Sequence, residues 1–169
     1  LGGQSLKKLC KKHSHRQVSF YMKELRAYAA DLLNAKIKES KIRAYKSEER
    51  LDDGSLLKVN ITVDKKQKLV IDFSGSAKVH RGNLNATKAI VQSVVLYVLR
   101  LWVNKPIAMN EGLMASVNII LPAGLLNPDF STQKLPAVVG GNTEVSQRLT
   151  DTLLKAFGLV AESAAFIGI

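Results

Sequence analysis

The sequence predicts an α+β domain in which two long helices pack with an antiparallel hairpin and additional short strands. Three observations carry this. Apolar residues recur at helical spacing from about Arg16 to Ala44 and again from about Ala86 to Val103, and they alternate at strand spacing from Leu57 to Phe73. The stretch Pro136 to Asp151 passes from an apolar run through two glycines into a further helix. With 169 residues, 46% of them hydrophobic, the chain can bury a core and fits a single domain-sized unit over residues 1–169.

Taken in order, Ser5 to Cys10 form one or two helical turns. Cys10, His13 and His15 invite a metal reading, but they fall among Lys7, Lys8, Lys11 and Lys12, and a structural zinc draws four ligands from two separated pairs. No metal is assigned to them. The first long helix carries Val18, Met22, Leu25, Ala29 and Leu32 on one stripe, continued by Ile37, with no Gly or Pro inside. At 1.5 Å per residue it would reach about 43 Å, longer than a small domain needs, so it is expected to pack on another segment or subunit. Asp52, Asp53 and Gly54 then mark a turn.

Leu57, Val59, Ile61 and Val63 alternate with polar residues, and so do Leu69, Ile71 and Phe73 after the Lys65–Lys68 turn. This is a hairpin with one buried face. Asp72 lies on its polar face near a strand end, a candidate catalytic carboxylate that could orient a substrate or a metal-bound water; the plainer reading is a solvated aspartate. Ser76 lacks the setting of a nucleophile elbow. The loop HRGNLN (residues 80–85) feeds the second long helix, with Asn85 as its expected cap. That helix is very apolar for about fifteen residues, short of the roughly twenty that cross a bilayer, and contains Gln92 and Arg100. It is a core helix. Asn110 to Gly112 form a polar turn, and Val117 to Leu121 a third strand, before the loop from Ala123 to Leu135.

Ala137 to Val139 suit a short buried strand. Gly140 and Gly141 permit a turn with positive φ, and Asn142 or Thr143 then caps a helix whose first turn carries Glu144 and which runs to Phe157 and stops at Gly158. Val145, Leu149, Leu153 and Phe157 share one face, with Arg148, Asp151 and Lys155 on the other and Asp151 placed to pair with Lys155. Backbone N–H groups at such a helix start favour an anion, so Gly140, Gly141, Asn142 and Thr143 form a candidate anion site with Arg148 as a supporting cation. The alternative is a tight connection needing glycine for geometry alone.

Net charge is +11, and residues 1–50 hold 13 Lys and Arg against 5 Asp and Glu, which is +8 of it. Nucleic acid is not favoured as a partner, because aromatics make up only 6% of the chain and do not interleave with the basic residues. A solvated helix face or an acidic partner surface fits better. The lone Cys10 forms no internal disulfide, compatible with a cytoplasmic setting. A chain beginning at Leu1 and ending in the apolar run Ala164 to Ile169 reads as a piece of a longer protein.

The motifs DFSGS (72–76), RGNLNA (81–86), NEG (110–112), LPAGLLNP (121–128) and VVGGNTEVSQRLTD (138–151) occur in an order that resembles the B subunit of the hydantoinase and oxoprolinase family. The resemblance implies a cytoplasmic, ATP-dependent amidohydrolase. In it an A-type subunit binds ATP and activates a lactam or hydantoin carbonyl, and the B subunit assists ring opening within an oligomer. It also implies a divalent metal in the full enzyme, held by an upstream Asp- and His-rich segment that this chain lacks, so the chain alone is expected to bind neither ATP nor metal and to be inactive. Related acetone and acetophenone carboxylases share the subunit, which leaves a carboxylase open. A non-catalytic scaffold docking an acidic partner is the other alternative. Asn83 and Asn110, inside these motifs, join residues 140–143 as candidate substrate- or anion-binding residues, and Asp72 and Arg148 are the catalytic candidates.

Overall fold

The computed structural model describes residues 1–40, 42, 44–131 and 135–159. The chain opens with two consecutive helices, α1 (Gly2–His13) and α2 (His15–Ser40), separated at Ser14, whose φ of 64° breaks the helical path. No residue of α1 is buried, and α2 buries only Ala29, Leu33 and Ile37. The predicted stripe therefore shifts. Met22 and Leu25 are about half exposed, because the elements that pack on α2 reach only its C-terminal part. The helix also stops at Ser40 instead of Ala44; Lys41 and Arg43 lie outside the described residues, as does the terminal run from Ala164.

The sheet has four strands in the order β1 (Tyr45–Arg50), β2 (Leu56–Val63), β3 (Leu69–Asp72) and β4 (Val117–Ile120). The hairpin expected from alternation is β2–β3, with Ile61 opposite Ile71 and Val63 opposite Leu69. Strand β1 was not predicted. Its inward positions are Tyr45, Ser47 and Glu49, too polar to signal a strand, and it forms by antiparallel pairing with β2 from Tyr45↔Ile61 to Arg50↔Leu56. Strand β4 runs parallel to β3, so the sheet is mixed and the chain must cross over between them.

The crossover is α3 (Lys88–Val103), which buries Val91, Val94, Val95, Val98, Leu99, Trp102 and Val103. Its cap is Thr87, whose hydroxyl accepts the Ile90 N–H at 3.4 Å, and not Asn85. Asn104 in the left-handed region closes the other end. The inner sheet face, with Leu57, Val59, Ile61, Leu69 and Ile71 fully or nearly fully buried, meets α3 and the last helix, α4 (Glu144–Ala156). Helix α4 behaves as the periodicity predicts: Val145, Leu149 and Leu153 are wholly buried. It ends at Gly158, φ 67°, with the Gly158 N–H donating to Lys155 and that of Leu159 to Leu154. Phe157 fills the corner between elements, 4.8 Å from the Trp102 ring and 6.3 Å from Tyr45. Among the described residues no helix is long and apolar enough to cross a membrane.

Candidate functional site

Asn85 is completely buried, and a buried amide must satisfy its donors and acceptor within the protein. Its Oδ1 accepts the His80 N–H at 2.7 Å. Its Nδ2 donates to the carbonyls of His80 (3.0 Å), Gly82 (3.3 Å) and Ala137 (2.8 Å). One side chain thus joins the loop before α3 to the segment before α4. Segment 137–143 locks onto the same loop from the other side: the Gly140 N–H donates to the Asn83 carbonyl at 2.9 Å.

This geometry corrects the sequence reading of the glycine stretch. Ala137 to Val139 form no strand, and Val139 is 77% exposed; Val139–Asn142 is a 3₁₀ turn instead. Neither Gly140 nor Gly141 has positive φ. They are glycine because the loops touch: a Cβ on Gly141 would stand 2.1 Å from the Asn85 carbonyl oxygen, and one on Gly140 would stand 2.7 Å from a Leu84 methyl. The N–H groups of Gly140, Gly141 and Thr143 donate to the carbonyls of Asn83, Val138 and Gly140, so they do not form the open anion cradle expected of them. Thr143 takes the cap position of α4 without a side-chain cap bond, and Asn142 lines a groove of about 370 Å³ between α3 and α4.

The remaining candidates are spread out. Arg148, on α4, reaches Asp52 at 3.2 Å and Glu144 at 3.8 Å, and Lys155 reaches Glu49 of β1. Asp72 sits on the outer sheet face, opposite Asn60, whereas α4 covers the inner face. The sheet therefore keeps Asp72 and Arg148 apart. Asp72 Oδ1 accepts the Ser74 N–H at 2.8 Å and ends β3, and the neighbouring Asn60 Oδ1 is buried with no partner among the described residues. Asn110 accepts the Gly112 N–H at 2.8 Å and so caps the 3₁₀ turn Glu111–Met114. Asn83 is exposed, and its contribution is its carbonyl. Ser76 exchanges hydrogen bonds with the Lys58 backbone.

Sequence reasoning did not find His80. Its Nδ1 accepts the Gly82 N–H at 3.0 Å, which leaves Nε2 as the protonated nitrogen facing Asp53 Oδ2 at 2.9 Å. The Ser55 N–H and hydroxyl, and then the imidazole, hold the Asp53 carboxyl below its usual range. The β1–β2 turn is thereby tied to the loop through Asp53 and to α4 through Asp52. With Asp53 27 residues upstream in an apparent surface turn, no spacing rule links the two; the HRGN motif is the signal that marks the His80 loop. Removing one exposed arm of this tie should cost little: Arg148→Ala is expected to lower unfolding free energy by no more than about 1 kcal/mol in urea titrations.

A cavity of about 750 Å³ opens between the tied loops, lined by Val79, His80, Arg81, Asp129, Leu135, Pro136 and Ala137. Among the described residues no group of three or more His, Cys, Asp or Glu side chains converges, so they do not fit a divalent metal.

A family model described as hydantoinase B/oxoprolinase matches residues 1–167. The chain belongs to the hydantoinase B/oxoprolinase family. It is 35% identical over 167 residues to a 5-oxoprolinase of Saccharomyces cerevisiae, covering 96% of this chain and 13% of that relative. A 5-oxoprolinase of Dictyostelium discoideum is 43% identical over 119 residues, 69% of this chain and 9% of its own length. Among solved structures, the ATP-dependent caprolactamase from Pseudomonas jessenii superposes with a TM-score of 0.71 at 18% identity over 92% of this chain and 28% of that one. Acetone carboxylase in its nucleotide-free form gives 0.66 at 15% identity over 89% and 23%. At these identities the two structures speak for a shared fold. In this hydantoinase B/oxoprolinase chain the motifs at 81–86, 121–128 and 138–151 meet around Asn85, where the Ala86 N–H donates to the Leu125 carbonyl and the Gly140 N–H to the Asn83 carbonyl, whereas of the residues lining the cavity only Arg81 lies within a motif.

Proposed function

We propose that this chain is part of an ATP-dependent cyclic-amide hydrolase subunit that opens hydantoin or lactam rings of the 5-oxoproline kind, working with an ATP-binding A-type subunit in a cytoplasmic oligomer. The observation that carries the reading is the family match along nearly the whole chain, together with relatives named 5-oxoprolinase. 5-Oxoproline and caprolactam are both cyclic amides, and the fold shared with the caprolactamase agrees. The chain spans 13% of the yeast relative's length. Binding of ATP and of a divalent metal is accordingly assigned to other parts of the enzyme. ATP supplies the activation that turns an unreactive amide oxygen into a leaving group; the residues of this chain supply a rigid platform of tied loops. Asp72 stays a candidate in this reading because the Asn60 acceptor, unmet among the described residues, lies beside it, and Arg148 because it anchors the α4 start.

A second reading, a docking module for an acidic partner, is favoured by one observation. The basic α1 and the first half of α2 expose Phe20, Tyr21, Met22, Leu25 and Tyr28. The assay that separates the readings uses the intact protein with its companion subunit, following phosphate release and ring opening together. The expected result is ATP-dependent ring opening coupled to phosphate. Bicarbonate-dependent carboxylation of a ketone without ring opening would favour the carboxylase alternative. No turnover, with stable binding of the companion, would favour the docking module.

A further inference from the structure

We propose that the outer edge of β4 seats one further β-strand, uncharged and apolar on its inner side, contributed by the part of the same polypeptide outside residues 1–169. This goes beyond the cyclic-amide reading and does not depend on it. Strand β4 pairs with β3 alone, where the Leu69 N–H donates to the Ser116 carbonyl and the Phe73 N–H to that of Ile120. By the alternation of a parallel ladder, residues 116, 118 and 120 turn their backbone groups toward β3, and Val117 and Ile119 turn theirs away. Those outward N–H and carbonyl groups have no partner among the described residues. The open stretch closes at Leu121, whose carbonyl accepts Asn127 Nδ2 at 3.2 Å, and at Pro122, which has no N–H.

The two edges of the sheet differ. Strand β1 has the character of an edge: Lys46, Glu48, Glu49 and Arg50 put charge along it, its inward positions include Ser47 and Glu49, and Glu49 pairs with Lys155. Charge of this kind keeps a strand from pairing with another chain. Strand β4 reads VNII, with no charge and no proline. Its inward residues continue a buried row, since Ile61 stands opposite Ile71 and Ile71 opposite Ile119. Ile61 and Ile71 have no exposure, whereas Ile119 and Val117 are only partly buried, and Ile120 on the other face is 39% exposed. Such an apolar run belongs to a strand with a neighbour on each side. The strand that completes the row places apolar residues beside Val117 and Ile119 and bonds their outward backbone groups.

The size of the edge decides what can sit there. Four residues extend about 13 Å, whereas a stable interface between separate proteins buries roughly 1,200 Å² or more. A free partner gains too little from so short a ladder, and two copies of this chain, each of net charge +11, repel. A strand tethered in the same polypeptide needs no such area, because its effective concentration at the edge is high. Relatives have chain to supply it: this chain spans 13% of the yeast 5-oxoprolinase and 28% of the caprolactamase chain.

Residue-resolved amide hydrogen exchange on the intact protein is the test. Val117 and Ile119 are expected to exchange within about tenfold of Asn118 and Ile120, since all four then open only with the sheet. Fast exchange at 117 and 119 beside slow exchange at 118 and 120 would overturn the proposal. So would protection at 117 and 119 that is lost on dilution, which assigns the edge to a second copy, or on removal of a companion subunit, which assigns it to a separate chain. Two variants probe the backbone itself. Ile119→Ala and Ile119→Pro both truncate the side chain, but only proline removes the outward N–H, a loss that an unpaired edge tolerates. Ile119→Pro is expected to melt about 2 °C or more below Ile119→Ala; equal melting temperatures would count against a paired edge. If the proline variant does not fold, the wild-type exchange pattern decides alone. Neither experiment reads ring opening, so failure here leaves the cyclic-amide reading in place.

Discussion

Gly141→Ala is expected to destabilise the protein by about 3 kcal/mol, at the upper end of what overpacking a close contact costs. The added Cβ would lie 2.1 Å from the Asn85 carbonyl oxygen and 2.9 Å from the Ala86 Cα. Both are backbone atoms, so no flexible side chain can swing away. The loop they belong to is itself fixed by the four hydrogen bonds of the Asn85 side chain. Gly54 makes a useful comparison. Its φ is 86° with open space around it, so alanine there is strained by conformation and not by crowding, at about 1 kcal/mol. Urea unfolding of the two variants side by side checks the distinction; equal losses would refute the crowding argument.

Asn85→Ala should cost at least as much, about 3 kcal/mol or more. The substitution leaves the His80 N–H and three carbonyls to find other partners in a place where the side chain had no solvent exposure. Each buried polar group left unmet costs about 1–3 kcal/mol, though water entering the space left by the amide can recover part of it. Faster amide exchange at His80 is the local signature, because its N–H loses its acceptor. A loss below 1 kcal/mol would mean the two loops hold together without the amide.

Much of the fold is legible in the sequence where one element's own periodicity decides it. The faces of α3 and α4 and the β2–β3 hairpin follow from apolar spacing, and Gly158 stops α4 by the usual left-handed route. Strand β1 is not legible in that way. Only Tyr45 among its inward residues is apolar, and its place is set by the β2 edge and by the Glu49–Lys155 pair, both distant in sequence. The stripe on α2 misleads for the same reason: which turns of a helix are buried depends on how far its neighbours extend. At the candidate site, glycine pairs carry two meanings, conformational freedom and thinness, and residues 140–141 are glycine for thinness. Asp72 and Arg148 are both catalytic candidates by residue type, yet a sheet stands between them. The Asn85 and Asp53–His80 ties consist of ordinary loop residues whose roles exist only once three loops have met.

The parallel seam between β3 and β4 bears on how the chain reaches this state. Strands β1, β2 and β3 follow one another through short turns and can zip together early, since each pairing closes only a small loop. Strand β4 has no such neighbour. Its place beside Leu69–Asp72 is defined only after the sixteen residues of α3 have formed and settled on the inner face. Assembly is therefore expected to be staged, a quick meander and then a slower capture of β4 that depends on α3, with the β3 edge open to mispairing in the interval.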